Sequence, residues 1–322
     1  MAEVAPEEFS RAGGMDELLG LLARAGIENG WAKREPSMYA VPKQKFAPAH
    51  WSFAMAEAAL EAAGRFVNTE LAERRNLILN NPVPGNHYPT VTTLVAAYQM
   101  VKAGETARSH RHTANALRMV LRSKPGMFTI VDGKKIPMVE NDVLLTPNWS
   151  WHAHSNESDR NACWIDFLDV PLTHLLGPMF FEHHPDELEK TDIVDAASPC
   201  RFPFEATMAR LEAAPEHSPG VREIELGGPA LRTIALHVWR LEAGATRHVP
   251  ASTLNCVYAP MAGAGEARFD GAAFSWTRGD VIAAPSGRAH LWTAAEPSYL
   301  LRVSDEPLLK FLDWLRPIPA HA

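Results

Sequence analysis

The sequence is poor in the features that mark secreted, membrane-bound and nucleic-acid-binding proteins. It has three cysteines, Cys163, Cys200 and Cys256, which lie far apart and form no CxxC pair, so we expect reduced thiols in a cytoplasm. The net charge of -7 provides no basic surface for nucleic acid. No apolar run reaches the roughly 18 residues that a membrane-spanning helix needs. The first residues lack the basic and apolar segments of a signal peptide, so none is expected.

The remaining composition is that of a globular protein with a large core. Hydrophobic residues make up 46% of the 322 and charged residues 21%, which allows one or two domains. A leucine stripe from Met15 to Leu22 and the alanine-rich stretch from Phe53 to Gly64 predict helices. A series of short strand-like segments separated by turn residues then favours a sandwich or jelly roll. These segments are Thr92 to Val101, Ala114 to Leu121, Met127 to Val131, Val143 to Thr146 and Cys163 to Leu168.

Two histidines stand one residue apart in a strand-like context. His110 and His112 follow Gly104 in the spacing G-x5-H-x-H, and side chains two apart on a strand point to the same face. His152 comes 40 residues after His112, a distance that a β-barrel folds back on itself. Imidazole is a ligand for iron, copper, zinc and nickel. The pattern therefore predicts a metal site of three histidines inside a barrel.

The same stretch resembles a known family. G-x5-H-x-H is the first cupin motif, and P-x-x-x-W-H-x-x-x-N from Pro147 to Asn156 fits the second. The segments HRHTANALRMVL, LLTPNWSWHAHSNESD and WIDFLDVPL are similar to those of the gentisate and salicylate 1,2-dioxygenases, which are bicupin ring-cleaving enzymes. The resemblance covers roughly residues 68 to 315 and is closest between 94 and 172.

The resemblance implies a mainly β, bicupin fold with two double-stranded β-helix (jelly-roll) barrels and an N-terminal helical arm. We expect the arm over residues 1–90, a metal-binding barrel over 91–172, a helical linker over 173–225, and a second, metal-free barrel with a C-terminal helix over 226–322. The segment from Pro171 to Glu189, which spans the end of the first barrel and the start of the linker, is expected to be helical. The motif G-x5-P-x-G-x-x-H from Gly279 to His290 restates the first half, which indicates an internal repeat.

The metal site lacks the carboxylate that many cupins add after the second histidine, because Ala116 and Leu117 stand there. Three neutral imidazoles leave a divalent ion its full charge and up to three open positions. A chelating anion and O2 would fill them, which suits Fe(II), although zinc, manganese or nickel fit the same spacing. In the second barrel the ligand positions hold Pro250 and Ser252. Since His248 and His290 remain without a pair, we expect one metal per chain.

Polar residues around the metal are candidates for substrate contacts. His154 shares a face with His152 and is expected to be a proton acceptor beside the metal, a fourth ligand or a hydrogen-bonded core residue. Arg118, in an apolar strand, needs an anion, either a substrate carboxylate or Asp166, and both arrangements are compatible. The resemblance implies that Arg118 binds the substrate carboxylate, that Gln99 lies in the pocket and that His154 contacts the substrate.

Three further positions bear on the pocket. Arg74 or Arg75 brings a second cation or lies on a solvated helix face. Val95 and Ala97 share a face with Gln99 by parity, and the resembling family often carries tyrosine or tryptophan at the position of Val95. A smaller side chain there would widen the pocket.

The resemblance implies an Fe(II) enzyme whose partners are O2 and a small aromatic hydroxy acid, and it also implies a homotetramer. The ring of a 2-hydroxybenzoate would open between the carboxyl-bearing and hydroxyl-bearing carbons. Gentisate, salicylate, a substituted salicylate and 1-hydroxy-2-naphthoate all remain candidate substrates. Two other classes stay open, a cupin isomerase or hydrolase and a metal-free protein that binds an aromatic acid.

Overall fold

The computed structural model describes residues 4–31, 35–68, 72, 74–189, 191–227 and 231–319. The chain forms two compact units, Met1–Lys43 and Gln44–Ala322. The first contains helices α1 (Pro6–Ser10) and α2 (Met15–Arg24), which an ion pair of 2.7 Å between Arg24 and Glu8 connects. The predicted leucine stripe is α2.

The helices described in the second unit are α3 (Phe53–Ala63), α4 (Val170–Leu176), α5 (Phe204–Ala213) and α6 (Glu306–Phe311). Helix α3 confirms the alanine-rich prediction, but the helix expected from Pro171 to Glu189 is wrong beyond Leu176. There Gly177 adopts a left-handed conformation with φ of 95°, which ends α4, and the chain continues in extended structure. In the described parts of the chain, no helix combines the length and the apolar character needed to cross a membrane.

The second unit contains far more β-strand than helix, as the mainly β prediction requires. The strands of its first half are β1 (Ala49–Trp51), β2 (Arg75–Ile78), β3 (Val95–Val101), β4 (Thr106–His112), β5 (Ala116–Arg122), β6 (Met127–Val131), β7 (Lys134–Pro137), β8 (Val143–Thr146), β9 (His152–Asn156), β10 (Ala162–Leu168), β11 (Phe181–His183) and β12 (Arg201–Phe202). Those of its second half are β13 (Glu216–Ser218), β14 (Val221–Leu226), β15 (Ala235–Leu241), β16 (Thr246–Val249), β17 (Cys256–Ala262), β18 (Ala264–Phe269), β19 (Ala272–Thr277), β20 (Val281–Ala284), β21 (His290–Ala294) and β22 (Ser298–Ser304).

The strands form two barrels, each built from two antiparallel sheets. The first barrel combines the sheet β12-β8-β5-β10-β3-β2 with the sheet β11-β4-β9-β6-β7. The second combines β1-β20-β17-β22-β15-β14-β13 with β16-β21-β18-β19. The strand β1 thus comes from the segment predicted as an arm and completes a sheet of the second barrel. The four-part division of the chain stays a prediction.

The two larger sheets pack against each other through one shared apolar core. Alternate residues such as Tyr98 of β3, Ile165 of β10 and Leu301 of β22 point into it. The residues between them therefore point into the barrels, because side chains alternate along a strand. In the first barrel these inward residues include Gln99, Arg118 and Asp166.

A hydrogen bond between an asparagine and an aspartate occurs at equivalent positions in both barrels. The same two aspartates also connect the barrels to each other. The main-chain N–H of Asn115 donates to Asp169 at 2.7 Å, and that of Asn255 donates to Asp305 at 2.9 Å. Each aspartate also accepts a hydrogen bond from a threonine of the opposite barrel, Asp305 from Thr93 and Asp169 from Thr233. This reciprocity supports the predicted internal repeat.

We expect Thr93→Val to lower the free energy of unfolding by about 1.5–3 kcal/mol, because a buried carboxylate loses a hydrogen bond of 2.7 Å. Denaturant unfolding measures the loss. The control Thr246→Val changes an exposed strand residue and should shift stability by less than about 0.5 kcal/mol. Equal effects of the two substitutions would contradict a stabilising link between the barrels.

Candidate active site

Three histidines meet inside the first barrel. His110 and His112 lie on β4, His152 lies on β9, and His110 pairs directly with His152 across the two strands. Their candidate ligand atoms all lie within 4.8 Å of one another. Among the described residues, no cysteine or carboxylate belongs to this group. The structure therefore brings together the three residues that the sequence motif predicted.

Main-chain hydrogen bonds determine which ring nitrogen each histidine offers. The Nδ1 atoms of His110, His112 and His152 lie 3.2, 2.8 and 3.0 Å from the carbonyl oxygens of Arg108, Ala114 and Ser150. A carbonyl oxygen only accepts, so each Nδ1 carries the proton and donates. Each Nε2 is left with its lone pair, and this is the arrangement in which histidines bind metals. The residues present fit a metal ion.

Burial keeps these imidazoles neutral. It lowers the pKa of His110 to about 3, with a further contribution from the charge of Arg74. Burial also lowers the pKa of His112, and it lowers that of His152 well below its usual value, where the neighbouring histidines add to the effect. Neutral imidazole is the form that coordinates, so no proton has to leave before a metal binds at neutral pH.

Arg118 lies in the same barrel, and neighbouring side chains hold two of its three nitrogen atoms. Its side chain is 1% exposed, and its Nε donates to Asp166 at 3.1 Å. Its Nη1 donates to the hydroxyls of Thr129 at 3.1 Å and Thr146 at 2.7 Å. Its Nη2 makes no hydrogen bond to any described residue. The internal ion pair expected from the sequence is present, and Nη2 of the guanidinium is still without an acceptor among the described residues.

Asp166 connects this arginine to further polar groups. It accepts hydrogen bonds from Trp164 Nε1 at 2.9 Å and from Gln99 Nε2 at 2.5 Å. Gln99 in turn accepts from the Nε of Arg74. The expectation of a solvated helix face at Arg74 and Arg75 is wrong, since β2 begins at Arg75, which is 3% exposed and paired with Glu105. The pairing of β2 with β3 takes this segment into the barrel.

The ring of His154 has no hydrogen-bond partner among the described residues. It is fully buried on β9, tilted against Trp164 with ring centroids 4.6 Å apart, and neither ring nitrogen bonds to a residue in the described ranges. It is outside the three-histidine group, so the alternatives of a fourth ligand and a hydrogen-bonded core residue find no support in this geometry. Burial lowers the pKa of His154 well below its usual value, and Arg118 and Arg74 add to the shift. A buried neutral imidazole without partners can donate and accept hydrogen bonds toward a ligand.

Small side chains line the wall beside Gln99. Val95 and Ala97 are 1% and 3% exposed, and both point inward from β3. Ala97 pairs with Asp166 on one side and with Ile78 of β2 on the other. The parity argument thus placed Val95, Ala97 and Gln99 on the correct face.

The sequence analysis did not predict the aromatic residues that pack against the three histidines. Phe181 of β11 pairs with His112 in the strand register and stacks on His110 with ring centroids 5.2 Å apart. Nearby, the guanidinium of Arg111 lies 4.5 Å from the ring of Trp149 and 4.4 Å from that of Trp151. The residues from Phe180 to His184 show no period-two alternation, so the signal for a strand here was weak, and the helical pattern upstream obscured it.

In the second barrel, His290 uses both ring nitrogens in hydrogen bonds within the protein. His290 donates from Nδ1 to the carbonyl of Arg288 at 2.9 Å, and its Nε2 accepts from the hydroxyl of Tyr258 at 2.9 Å. His248 is exposed. Both ring nitrogens of His290 are therefore occupied by protein groups.

We expect Asp166→Ala to lower the free energy of unfolding by about 3–5 kcal/mol, because Arg118 would remain as an unpaired buried charge. In the control Asp195→Ala, the lost partner is Lys134, which is 56% exposed, and the loss should stay below about 1 kcal/mol. Chemical denaturation of both variants measures the difference. A loss of under 1 kcal/mol for Asp166→Ala would argue against a tightly held pair.

The chain is similar to known proteins over this barrel and beyond it. Residues 97–169 match the family model described as a cupin domain. The chain is 30% identical to 5-aminosalicylate 1,2-dioxygenase of Comamonas sp over 96% of its length and 90% of the relative's. It is 31% identical to gentisate 1,2-dioxygenase of Streptomyces sp, covering 94% of each.

A solved structure extends the similarity to the whole fold. The salicylate 1,2-dioxygenase of Pseudaminobacter salicylatoxidans superposes with a TM-score of 0.85 at 27% identity, covering 98% of each chain. The bicupin fold class and the family predicted from the sequence are thereby confirmed. On this evidence the chain belongs to the gentisate and salicylate 1,2-dioxygenase family.

Proposed function

We propose that this protein is an iron(II)-dependent 1,2-dioxygenase that opens the ring of a 2-hydroxybenzoate between the carboxyl-bearing and hydroxyl-bearing carbons. The proposal is carried by one observation: three neutral imidazoles and the buried guanidinium of Arg118 share one barrel interior. The imidazoles suit a divalent cation and the guanidinium suits an anion. An aromatic acid with an ortho hydroxyl carries ligands for both.

His110, His112 and His152 would hold the iron through Nε2, with Nδ1 kept in place by main-chain carbonyls. When bound, iron(II) supplies the electron-transfer chemistry that activates O2. The absence of a carboxylate from the described ligand group leaves the ion its full charge, which favours an anionic substrate. One ion per chain is expected, because Tyr258 already occupies Nε2 of His290 in the second barrel.

Arg118 binds the substrate carboxylate. Asp166, Thr129 and Thr146 hold the guanidinium in one orientation and leave Nη2 for the ligand. Gln99 lies beside it, and Arg74 adds a second positive charge on the same side. A carboxylate in this position meets preorganised donors, so little side-chain entropy is lost when it binds.

His154 hydrogen-bonds to the phenol group of the substrate. Its ring is neutral and buried, and both nitrogens lack partners among the described residues. The nitrogen without a proton accepts from the phenol O–H, which weakens the O–H bond and assists loss of its proton. The other nitrogen remains a donor within the pocket.

The width of the pocket determines which ring fits. Val95 and Ala97 are small side chains on the face of β3 that carries Gln99, and the ring of Phe181 stacks on His110. Because Val95 is smaller than the tyrosine or tryptophan that the family often carries there, we infer a preference for a substituted salicylate or 1-hydroxy-2-naphthoate over salicylate, with gentisate as a further candidate. Two of the relatives are named for 5-aminosalicylate and gentisate, which share the carboxyl and ortho-hydroxyl groups.

The protein acts as a homotetramer in the cytoplasm. All three cysteines are free, as expected for a reducing compartment. Leu175 and Leu176 at the end of α4 and Phe180 shortly after it are 71%, 68% and 63% exposed. An exposed apolar cluster of this kind is typical of a surface that another subunit covers.

We expect removal of the metal by a chelator to abolish O2 uptake with gentisate or salicylates, and iron(II) to restore it. His152→Ala should lose both the bound iron and the O2 uptake, since two imidazoles do not hold the ion. The control His87→Ala changes an exposed histidine outside the group and should leave both unchanged.

The same assay separates the other classes of function. Bound metal without O2 consumption on any ortho-hydroxy acid would indicate an isomerase or hydrolase. Ligand affinity that survives His110→Ala in a chain without bound metal would indicate a binding protein. Either result would overturn the dioxygenase proposal.

We expect Val95→Tyr to lower kcat/KM for 1-hydroxy-2-naphthoate by about tenfold or more and that for salicylate by less than about threefold, because the added ring fills the space for the second aromatic ring. The control Val95→Ile adds one methylene and should affect both substrates slightly. Oxygen-electrode kinetics measure the ratio, with thermal unfolding as a check on folding. An equal loss of kcat/KM for both substrates would show that Val95 does not line the space for the second aromatic ring.

A further inference from the structure

Arg111 lies between two histidines of the metal group and points to the opposite face of their strand. His110 and His112 face the interior of the barrel from β4, so Arg111 faces outward, because side chains alternate along a strand. There its guanidinium carbon lies 4.5 Å from the ring centre of Trp149 and 4.4 Å from that of Trp151. Each indole ring attracts the cation through its π-system. These contacts join the outer face of β4 to the turn that precedes β9.

The same guanidinium also contacts β11. Its Nε and Nη2 both donate to one carboxylate oxygen of Glu182, at 2.9 and 2.7 Å. Glu182 is the middle residue of β11 and lies opposite Arg111 in the strand register. This strand has only three residues, all exposed, and it forms the edge of its sheet. Main-chain hydrogen bonds of 3.1 and 2.9 Å attach the residues beside its two ends to β4. The ion pair attaches its middle.

Both tryptophan rings also lie beside the residues that flank β11. The ring centroid of Trp149 is 6.2 Å from that of Phe180, and the ring centroid of Trp151 is 4.8 Å from that of His184, both in edge-on geometry. Phe180 precedes β11 and His184 follows it. The turn before β9, the outer face of β4 and the strand β11 therefore meet in one connected group of side chains. We call this group the Arg111 cluster, and its members are Arg111, Trp149, Trp151, Phe180, Glu182 and His184.

The turn in this cluster determines the orientation of His152. The carbonyl oxygen of Ser150, which lies between the two tryptophans, accepts from Nδ1 of His152 at 3.0 Å. Trp149 has a φ of 64°, a left-handed conformation that a bulky residue keeps only where its surroundings hold it. The guanidinium of Arg111 lies over its ring, and its main-chain N–H donates to the carbonyl of His112 at 3.0 Å. Contacts on the outer face of β4 thus hold the turn that orients a histidine on the inner face.

We propose that Arg111 is a positioning residue for the metal site, which holds the turn before His152 and the strand β11 in place from the outer face of β4. The inference rests on the metal site of the proposed function. Through the turn, Arg111 keeps Nδ1 of His152 on its carbonyl acceptor. Through β11, it keeps the ring of Phe181 against that of His110, with the centroids 5.2 Å apart. Loss of Arg111 therefore changes the geometry of the metal group, although its side chain does not enter the barrel.

Cobalt(II) binding to the full-length chain tests the proposal without O2 chemistry. In Arg111→Leu we expect the dissociation constant for cobalt(II), measured by competition with a chelator, to rise about tenfold or more, because groups that orient a histidine ligand have effects of this size. The visible absorption bands of the bound cobalt(II) should also shift, since the orientation of His152 changes. Arg111→Lys keeps the positive charge but loses the planar guanidinium and its two-donor contact with Glu182, so its affinity should lie between those of Arg111→Leu and the natural chain.

The matched control is Arg122→Leu. Arg122 lies at the end of β5 in the same barrel, pairs with Glu57 and Glu61, and is 35% exposed where Arg111 is 27% exposed. Its substitution also removes ion pairs but leaves the Arg111 cluster intact, so the cobalt(II) affinity and the absorption bands should stay those of the natural chain. The comparison separates the positioning of a metal ligand from a general loss of stability.

Hydrogen exchange of the metal-free chain tests the attachment of β11 independently of any metal. We expect the main-chain amides of residues 180–187 to exchange about tenfold faster or more in Arg111→Leu, because the middle of this edge strand loses its side-chain link to β4. Arg122→Leu should leave their exchange rates unchanged.

Two results would each overturn the proposal. They are a cobalt(II) affinity and spectrum that Arg111→Leu leaves unchanged, and exchange rates of residues 180–187 that stay at those of the natural chain. Failure of the proposed function is seen separately. A natural chain that binds cobalt(II) but consumes no O2 when loaded with iron would refute the dioxygenase reaction alone, whereas one that binds no cobalt(II) would refute both.

Discussion

Three hydrogen bonds from imidazole Nδ1–H groups to main-chain carbonyls determine what the first barrel can hold. They give His110, His112 and His152 the same tautomer and leave three Nε2 lone pairs close together. The bonds depend on the backbone at Arg108, Ala114 and Ser150, which the strands β4 and β9 and the adjoining turns position. The ability of the three histidines to bind a metal thus depends on the backbone around them as well as on the histidines themselves. No described carboxylate joins them, so the charge of a bound ion remains available to an anionic substrate.

The two barrels show how one fold supports different interiors. In the first, Asp166 compensates Arg118 and orients it, so a cation can be buried and still have a donor for a ligand. At the matching level of the second barrel, Tyr258 and Trp239 belong to an apolar cluster, and Tyr258 occupies the remaining nitrogen of His290. The shared core between the larger sheets and the reciprocal Thr–Asp links join the barrels. The second barrel thereby supports the first without repeating its chemistry.

Sequence patterns predicted most of the first barrel because its signals are local. Spacing identified the histidines, the family resemblance placed Gln99 in the pocket, and parity placed Val95 and Ala97 on the same face as Gln99. The exceptions depend on contacts between distant segments. Arg74 reaches Gln99 because β2 pairs with β3, a pairing that the polar segment before β2 does not reveal. Phe181 reaches His110 only because β11 adds to the edge of β4, and its own residues carry a weak strand signal.

The central claim is that three neutral imidazoles hold an iron(II) ion with open positions that a 2-hydroxybenzoate can occupy. X-ray absorption at the iron edge of the anaerobic protein, before and after addition of salicylate, tests it most directly. The account predicts three imidazole ligands in both states, with light oxygen ligands replaced by those of the chelating substrate. A fourth imidazole, a protein carboxylate in the coordination sphere, or a spectrum that salicylate leaves unchanged would contradict it.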